Sequence, residues 1–401
     1  MPVVHDGMFS RRTSGPREPN PLTRAIAEAR ARFDLWDLTE SNPTRVQLPM
    51  DRAAVAAALA KGAEADYVPA PLGADLAREA VADYYSRRGV AVDPARVMLT
   101  ATTSEAYAYL FRLLADPGEE VVAATPSYPL FSALAEAAEV KLSPHAMLYD
   151  GRWRLDPPAL AAALSPRTRA LLTVGPNNPT GSCLGPVDRR RLVQAALTRG
   201  AAVISDEVFL DYLDAPERFA ATSFAREAET LTFTLSGLSK VAALPHLKLS
   251  WVVVNGPPEQ AAEAMDRLEH MADTFLSVGT PVQEALPRLL EQAEETQDFL
   301  RGRLWENGDH LRDVARRAGL TVRARDGGWY AVLDLPDGWD DEAFALELVT
   351  RAQVVVQPGY LFDLEDRPAV VLSLLPAPEV FQEGVDRLIS LALPGPGPKD
   401  G

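Results

Sequence analysis

The sequence predicts an α/β protein with a mostly parallel sheet flanked by helices, plus a second, smaller α+β domain. From about residue 95 onward, short apolar runs alternate with helical patterns, which is typical of a parallel sheet. The 401 residues exceed the length of one ordinary domain. After about residue 320, short strands in an antiparallel-looking arrangement indicate the second domain.

The strands and helices of the larger region are predicted from apolar runs bounded by turn residues. Strands are expected at 97–100, 120–124, 169–174, 201–205, 230–235 and 249–254, and helices between the earlier ones at 104–115, 129–139, 157–164 and 186–198. A helical pattern over 258–318, interrupted near 277–281, leads into the second region. There we expect strands at 329–334, 353–357 and 369–374 and helices at 341–351 and 377–392.

Composition excludes several classes of function. The net charge of −16 argues against nucleic acid or an anionic membrane as a general partner. The lone Cys183 excludes an internal disulfide and a multi-cysteine metal site, and the five scattered histidines lack metal-ligand spacing. No apolar run approaches membrane-spanning length, and the polar N-terminal stretch has no signal-peptide core. We therefore expect a cytoplasmic protein without a bound metal.

Lys240 is the first candidate for chemistry. Of the 40 basic residues only five are lysines, and this one follows an apolar strand in the run Leu-Ser-Gly-Leu-Ser-Lys. A desolvated lysine amine can lose its proton and form a Schiff base with a carbonyl, whereas arginine cannot. Residue type alone favours the alternative, an ordinary surface lysine in a loop.

Other polar residues follow the predicted strands at the edge where ligands of open parallel sheets bind. Thr102, Thr103 and Ser104 begin a helix, where hydroxyls and free N–H groups suit a phosphate, although a plain N-cap explains them as well. Tyr128 follows the strand at 120–124 and could stack on a planar ligand, or simply pack within its turn.

Two more strand ends carry an amide and a carboxylate. The strand at 169–174 runs into Gly-Pro-Asn-Asn-Pro-Thr-Gly, a stiff turn that presents one or two asparagine amides, including Asn178. The strand at 201–205 runs into Asp206, which suits a buried carboxylate and equally a helix N-cap. With Lys240, this ordered set fits pyridoxal phosphate, for which lysine forms the imine, a carboxylate pairs with the pyridinium nitrogen and a helix end holds the phosphate.

The same residues resemble the fold-type I pyridoxal-phosphate-dependent aminotransferases, class I/II, of the aspartate aminotransferase superfamily. The most specific matches are Pro-Asn-Asn-Pro-Thr-Gly at 176–181, Asp-Glu-Val at 206–208 and Ser-Lys at 239–240. The resemblance implies a large cofactor-binding domain over 45–290, with a seven-stranded type of sheet, and a small discontinuous domain over 1–44 and 291–401. It implies transfer of an amino group from an amino acid or amine to a keto acid, through a Lys240 internal aldimine and a pyridoxamine intermediate.

The resemblance also implies roles for individual residues. Lys240 and Asp206 would be catalytic and bind the cofactor, with Asn178 on the 3-oxygen and Tyr128 on the ring. The remaining cofactor-binding positions would be Thr102, Thr103, Ser104, Ser239, Lys248 and Tyr67. Because the tyrosine matching Tyr67 reaches the partner's phosphate in this family, a homodimer with shared active sites is implied.

Four positions depart from the family pattern. Phe209 stands where tyrosine is usual, Lys248 where arginine is usual and Thr102 where glycine is common. Val371 occupies the position of the arginine that clamps the substrate carboxylate, a bidentate contact that valine cannot make. We name Arg367, Arg45 and Asn42 as candidate substrate-binding residues instead.

Two other functions stay open on sequence alone. The altered substrate clamp leaves room for a lyase or decarboxylase that uses the same cofactor, because pocket geometry chooses which bond reacts. A non-catalytic cofactor-binding descendant ranks below both, because Lys240 is retained and no added DNA-binding domain is visible.

Overall fold

The computed structural model describes Met8 and residues 18–393. The helices of these residues are α1 Pro21–Arg30, α2 Arg52–Ala63, α3 Asp75–Arg87, α4 Thr103–Leu114, α5 Leu130–Ala137, α6 Pro157–Ala163, α7 Pro186–Arg199, α8 Phe219–Thr222, α9 Leu238–Val241, α10 Pro258–Asp273, α11 Thr280–Arg317, α12 Asp341–Glu347 and α13 Pro378–Ala392. Over these residues, no helix combines the length and apolar character needed to cross a bilayer.

The strands are short and mostly buried. They are β1 Trp36–Asp37, β2 Val97–Thr100, β3 Glu120–Thr125, β4 Lys141–Tyr149, β5 Trp153–Leu155, β6 Thr168–Val174, β7 Ala202–Asp206, β8 Thr232–Gly237, β9 Ser250–Asn255, β10 Tyr330–Asp334, β11 Val354–Val355, β12 Gln357–Pro358 and β13 Ala369–Ser373. All six strands expected in the larger region form within two residues of their predicted bounds.

Eight strands form the main sheet, in the order β2-β9-β8-β7-β6-β3-β4-β5. The pairs from β8 through β4 are parallel, whereas β9 is antiparallel to both neighbours and β5 to β4. This confirms the predicted α/β class with a mostly parallel sheet. The sheet has one strand more than the expected seven-stranded type, because the three-residue β5 forms a hairpin with β4.

The direction of the strands decides which residues can meet. Strands β3, β6, β7 and β8 are parallel neighbours, and β2 runs the same way because it is separated from β8 only by the antiparallel β9. Their carboxyl ends therefore lie along one edge of the sheet, which we call the active edge. The start of α4 follows β2 at this edge, and α9 follows β8.

Smaller sheets lie in the second region. Strands β10, β13 and β12 form an antiparallel sheet, and β1 pairs in parallel with β11. The N-terminal Leu38 packs in the same core as Phe344, Leu372 and Phe381. The division at residue 290 remains a prediction: this residue lies within the continuous α11, and both ends of the smaller predicted domain extend beyond the described residues.

Candidate active site

Lys240 lies in the short α9, directly after β8. Its Nζ is 4.6 Å from the centre of the Trp329 ring and 5.5 Å from that of Phe209. Removal from water lowers the pKa of Lys240 from 10.5 to about 8, against the opposing effect of the Asp206 carboxylate. An uncharged amine is therefore available at this position near neutral pH.

The backbone around Lys240 is held from two sides. The Tyr212 hydroxyl donates a hydrogen bond of 2.7 Å to the Lys240 carbonyl oxygen. At the preceding Gly237, a Cβ would lie 2.3 Å from the Ser250 hydroxyl, so this position has no room for a side chain. These contacts fix the place at which the chain leaves β8 and presents the lysine.

Asp206 ends β7 and is 7% exposed. Its Oδ2 accepts a 2.7 Å hydrogen bond from the Tyr107 hydroxyl, and its Oδ1 accepts one of 3.1 Å from the Val208 N–H. Burial raises the pKa of Asp206, while Tyr107, Val208 and Lys240 each oppose that rise. The result is a buried carboxylate with a fixed orientation beside a lysine amine.

The adjacent Glu207 has a different environment. Its carboxylate accepts hydrogen bonds from the Ser205 and Ser223 hydroxyls, at 3.0 and 2.7 Å, and from the Phe224 N–H at 2.6 Å. Burial raises the pKa of Glu207 to about 7. The Glu207 carboxylate is thus bound by neighbouring residues of the fold, and of the two adjacent carboxylates Asp206 is the one that interacts with Lys240.

The turn after β6 distinguishes its two asparagines. The Asn177 side chain is used within the turn, accepting from the Thr180 N–H and hydroxyl at 3.2 and 3.0 Å and donating to the Pro126 carbonyl at 3.3 Å. Asn178 is 8% exposed, and its buried Oδ1 has no hydrogen-bond partner. Asn178 is therefore the amide left available for a ligand.

Helix α4 begins at the active edge with a side-chain cap. Thr102 is the N-cap, and its hydroxyl accepts a 3.0 Å hydrogen bond from the Glu105 N–H. Thr103 and Ser104 then occupy the first turn, whose N–H groups have no partner within a helix. This arrangement suits an anion, because these donors and the helix dipole both favour negative charge.

Aromatic side chains lie next to these groups. Tyr128 is 41% exposed and makes an edge contact with Phe131 at 6.2 Å between ring centres. Phe209 packs against Trp329 and Tyr330, at 5.3 and 6.0 Å. Burial raises the pKa of Tyr330, whose hydroxyl is hydrogen-bonded with Ser41. The residues around the lysine amine are therefore largely aromatic.

Three predicted cofactor positions lie at the margin of this group. Ser239 directly precedes Lys240, and Lys248 is exposed immediately before Leu249, whose carbonyl accepts a 3.0 Å hydrogen bond from the Leu238 N–H. Tyr67 is 69% exposed on the loop between α2 and α3, where it lines a small cavity with Ser277.

The predicted substrate-binding residues are placed less favourably. Arg367 precedes β13 and pairs with Asp334 at 3.5 Å, at the end of the β10–β13 hairpin opposite Tyr330. That Arg367 binds the substrate stays a prediction; four residues of strand, about 13 Å, separate its end of the hairpin from the Tyr330 end. Val371 is fully buried in the sheet and faces Val332.

Asn42 and Arg45 share one turn. The Asn42 Oδ1 accepts hydrogen bonds from the Thr44 N–H and hydroxyl, at 3.0 and 2.8 Å. Arg45 pairs with Glu40 at 3.5 Å, and its side chain is 73% exposed. The turn is joined to the second sheet, because the Ser373 hydroxyl donates a 2.8 Å hydrogen bond to the Glu40 carbonyl.

Sequence reasoning missed three residues of this site. Tyr107 is buried within α4, 99 positions from the Asp206 that it contacts, and nothing in the local pattern distinguishes it from a core tyrosine. Tyr212 likewise gave no signal. Trp329 begins the strand expected at 329–334, and the sequence gives no sign that its ring lies beside the lysine amine.

The sequence is similar to those of several known aminotransferases. Arginine–pyruvate transaminase of Pseudomonas aeruginosa is 29% identical, over 78% of this chain and 78% of that protein. Aspartate/prephenate aminotransferase of Thermus thermophilus is 28% identical, over 84% and 86%. Glutamate–pyruvate aminotransferase of Escherichia coli is 28% identical, over 72% and 73%.

Solved structures extend the likeness to the fold. An alanine aminotransferase from Pyrococcus furiosus superposes with a TM-score of 0.83 at 22% identity, covering 96% of this chain and 99% of that one. N-succinyldiaminopimelate aminotransferase from Mycobacterium tuberculosis gives 0.79 at 27% identity, covering 92% and 96%. The sequence profile of aminotransferase class I and II matches residues 34–379. The chain therefore belongs to the class I and II aminotransferases, which transfer amino groups with pyridoxal 5'-phosphate as cofactor.

Proposed function

We propose that the active edge holds pyridoxal phosphate between Lys240, Asp206, Asn178 and the start of α4, and that the enzyme exchanges an amino group between an amino acid and a 2-keto acid. The residues fit the cofactor. An unpartnered buried amide oxygen, a desolvated amine, a buried carboxylate and an open helix start lie along one edge of the sheet. When bound, the cofactor supplies an aldehyde and a ring that accepts electrons.

Lys240 is the residue on which the proposal mainly rests. Its Nζ is enclosed by Trp329 and Phe209, which removes water and brings its pKa to about 8. At pH 7 about a tenth of such an amine is uncharged, far more than for an ordinary lysine. Lys240 therefore attaches the cofactor and, when free, is the base that holds and moves a proton at the substrate Cα.

Asp206 and Tyr107 work as a pair. Asp206 keeps a negative charge against the ring nitrogen, which strengthens the ring as an electron acceptor. The Tyr107 hydroxyl, 2.7 Å from Oδ2, holds the carboxylate in one orientation and stabilises its charged form. Tyr107 is thus a positioning residue that acts through Asp206.

The other contacts fix the position of the cofactor. Thr103 and Ser104 offer first-turn N–H groups and hydroxyls to the phosphate, and Thr102 supports them by capping the helix. Asn178 would donate a hydrogen bond from its side-chain N–H to the 3-oxygen, and Tyr128 would stack on the ring. We also assign Lys248 and Ser239 to the phosphate, because the hydrogen bond between their chain neighbours Leu249 and Leu238 brings the two segments together.

We assign substrate binding to the turn at residues 41–45, the substrate turn. Tyr330 is hydrogen-bonded with Ser41 and packs against Phe209, which in turn faces the Lys240 amine. Asn42 and Arg45 belong to the same turn, and Arg45 supplies a guanidinium group for the carboxylate of the substrate. The named activities of the relatives involve amino acids and, in two cases, pyruvate, so we propose an amino-acid donor and a small 2-keto acid acceptor.

A homodimer with shared active sites completes the proposal. Tyr67 and Val68 are 69% and 73% exposed, and Phe275 is 64% exposed. They lie close to the start of α4, since the Ser277 hydroxyl contacts Glu105 at 2.8 Å. A partner covering this apolar surface would place Tyr67 against its phosphate site. We also propose a cytoplasmic location, which suits the lone cysteine, Cys183.

Reduction of the holoenzyme with borohydride tests the assignment, because it makes the bond between lysine and cofactor permanent. Peptide mapping should then find the cofactor on Lys240 alone. Its attachment to Lys248, or to no lysine, would remove the basis of the proposal. For the dimer, mixing Lys240→Ala and Tyr67→Ala subunits should recover activity that neither variant has alone, if each hybrid contains one intact shared site.

A further inference from the structure

A second concave surface lies beside the turn after β6 and the segment that precedes Trp329. A cavity of about 680 Å³ is enclosed by the β4–β5 hairpin, the start of α7 and the segment preceding Gly327. None of Lys240, Asp206, Asn178 or Tyr128 lines it. We call it the arginine cavity, because its wall carries the side chains of Arg152, Arg154, Arg191, Arg218 and Arg325.

The charge of this wall opposes that of the protein. Five arginines face only two carboxylates in the lining, Asp188 and Asp326, although the whole chain has a net charge of −16. Arg191 pairs with Asp188 at 3.1 Å and Arg218 with Asp326 at 3.0 Å, which accounts for both lining carboxylates. Arg154 and Arg325 pair with Asp150 and Asp214, which lie outside the lining. Arg152 has no carboxylate partner within the described part of the chain. The lining is therefore concave and has more guanidinium groups than carboxylates, and Arg152 is the one of the five left without a carboxylate among the residues described, a combination that concentrates a field attracting anions.

A helix start adds to this field. Helix α7 has 14 residues, and Gly185, Pro186, Val187 and Asp188 at its beginning line the cavity. The N-cap is Gly185, which provides no side chain to accept hydrogen bonds from the first turn. The positive end of the helix dipole and the N–H groups of Val187 and Asp188 are therefore added to the guanidinium groups, whereas Pro186 has no N–H to offer.

Unsatisfied donors on the same wall point to a ligand. The Nε of Arg325, the Nε of Arg154 and the Nε1 of Trp153 are buried and have no hydrogen-bond partner. The Arg325 side chain is only 7% exposed; its other nitrogens bond Asp214 at 2.7 Å and the Gly328 carbonyl at 2.8 Å. Each of these three atoms is a donor, so the missing partner is an acceptor.

We propose that the arginine cavity is a second anion site, separate from the active site, for a multiply charged metabolite that bears phosphate or carboxylate groups. Guanidinium groups match both kinds of group in geometry, and several arginines on one concave wall favour more than one negative charge. The volume suits a small metabolite and excludes a macromolecular partner from its interior.

Calorimetric titration of the holoenzyme at low ionic strength tests this, with pyrophosphate and citrate as separate probes. Saturation of the active site with cofactor keeps its phosphate position filled. We expect at least one probe to bind saturably, and the probe that binds distinguishes a phosphate from a carboxylate ligand. Arg152→Ala combined with Arg191→Ala should raise its Kd at least tenfold, since both side chains lie at the surface and removing them leaves the core intact.

The matched control is Arg190→Ala, which removes an exposed arginine of the same helix that does not line the cavity. It should change the Kd less than twofold, while all variants keep the wild-type melting temperature and cofactor spectrum. Saturable binding that only the double variant weakens supports the site. Absence of saturable binding of both probes, or equal weakening by Arg190→Ala, overturns it.

Discussion

The active edge and the substrate turn differ in how their side chains are held. Asp206 is fixed by Tyr107, a residue 99 positions away, and is almost fully buried. Arg45 is paired with Glu40, five positions away, and is 73% exposed. Side chains fixed by distant buried partners are pre-organised, whereas an exposed local ion pair contributes little and is easily rearranged. The comparison assigns the chemistry to the rigid region and selectivity to the adaptable one.

Among the variants that test this comparison, removal of the lysine amine should have the largest effect on kcat. Lys240→Ala is expected to lower kcat by at least about 10³-fold, because attachment of the cofactor and proton transfer are lost together. Lys61→Ala is the control, since Lys61 is exposed on α2, and its kcat should match the wild type. Steady-state kinetics check both variants, and substantial turnover by Lys240→Ala would contradict the assigned role.

The neighbouring carboxylates offer a second test within the rigid region. Asp206→Asn should lower kcat by about 10²-fold or more, because the ring nitrogen loses its counter-charge. Glu207→Gln should leave kcat within a few-fold, since its partners are Ser205, Ser223 and Phe224.

The pKa of Glu207 is raised by burial from 4.5 to about 7, so the folded state binds more protons between those values and stability falls as the pH rises. Glu207→Gln should flatten that fall in thermal melts from pH 5 to pH 7. If Asp206→Asn and Glu207→Gln lowered kcat equally, the proposed difference in role between the two carboxylates would be contradicted.

Much of the active edge is predictable from the sequence, for a physical reason. Lys240, Asp206 and Asn178 each follow an apolar strand, and the parallel sheet brings the ends of those strands together. Local pattern cannot locate Tyr107, because its role depends on a contact across the sequence. Strand β4 was also missed: it contains Pro144 and alternates between exposed and buried positions near the edge of the sheet, so it lacks a continuous apolar run.

Prediction was weakest at the substrate turn. Arg367 precedes β13 and lies at the end of its hairpin opposite Tyr330. The direction in which a strand presents a flanking residue depends on pairing that sequence does not display. The structure instead brings residues 38–40 beside Ser373, whose N–H and hydroxyl donate hydrogen bonds of 2.7 and 2.8 Å to the Leu38 and Glu40 carbonyls.

The pH dependence of cofactor uptake gives a third test. In the apoenzyme the reactive form of Lys240 is uncharged, and its pKa is lowered to about 8 by removal from water. The rate of pyridoxal phosphate binding should therefore rise about tenfold per pH unit below pH 8 and level off above it. Stopped-flow absorbance measures this rate, and a rise that continues to pH 10 would show that the amine is not desolvated.

A smaller effect is expected from the positioning residue. Tyr107→Phe removes one hydrogen bond to Asp206, worth about 1 kcal/mol, and should lower kcat about fivefold. Because the Tyr107 hydroxyl lowers the pKa of Asp206, its loss should also move the acidic limb of the pH–rate profile to higher pH. A reduced kcat with an unmoved profile would indicate a packing role only.

The smallest effects should come from the two exposed arginines. Arg45→Ala should raise the KM for the amino donor several-fold with little change in kcat, as expected when a binding contact is removed. Arg367→Ala should leave both parameters within about twofold, because its partners Asp334 and Asp337 lie away from the site. A larger KM effect for Arg367→Ala would show that the substrate turn is assigned wrongly.

The half-reaction in the absence of a keto acid tests the central claim most directly. Purified holoenzyme is titrated with a panel of amino acids while its visible spectrum and free ammonia are recorded. The account predicts that at least one donor removes the absorbance band of the lysine-bound cofactor stoichiometrically, without ammonia release, and that a 2-keto acid restores the band. Ammonia release without an acceptor, or a band that no donor changes, would contradict it.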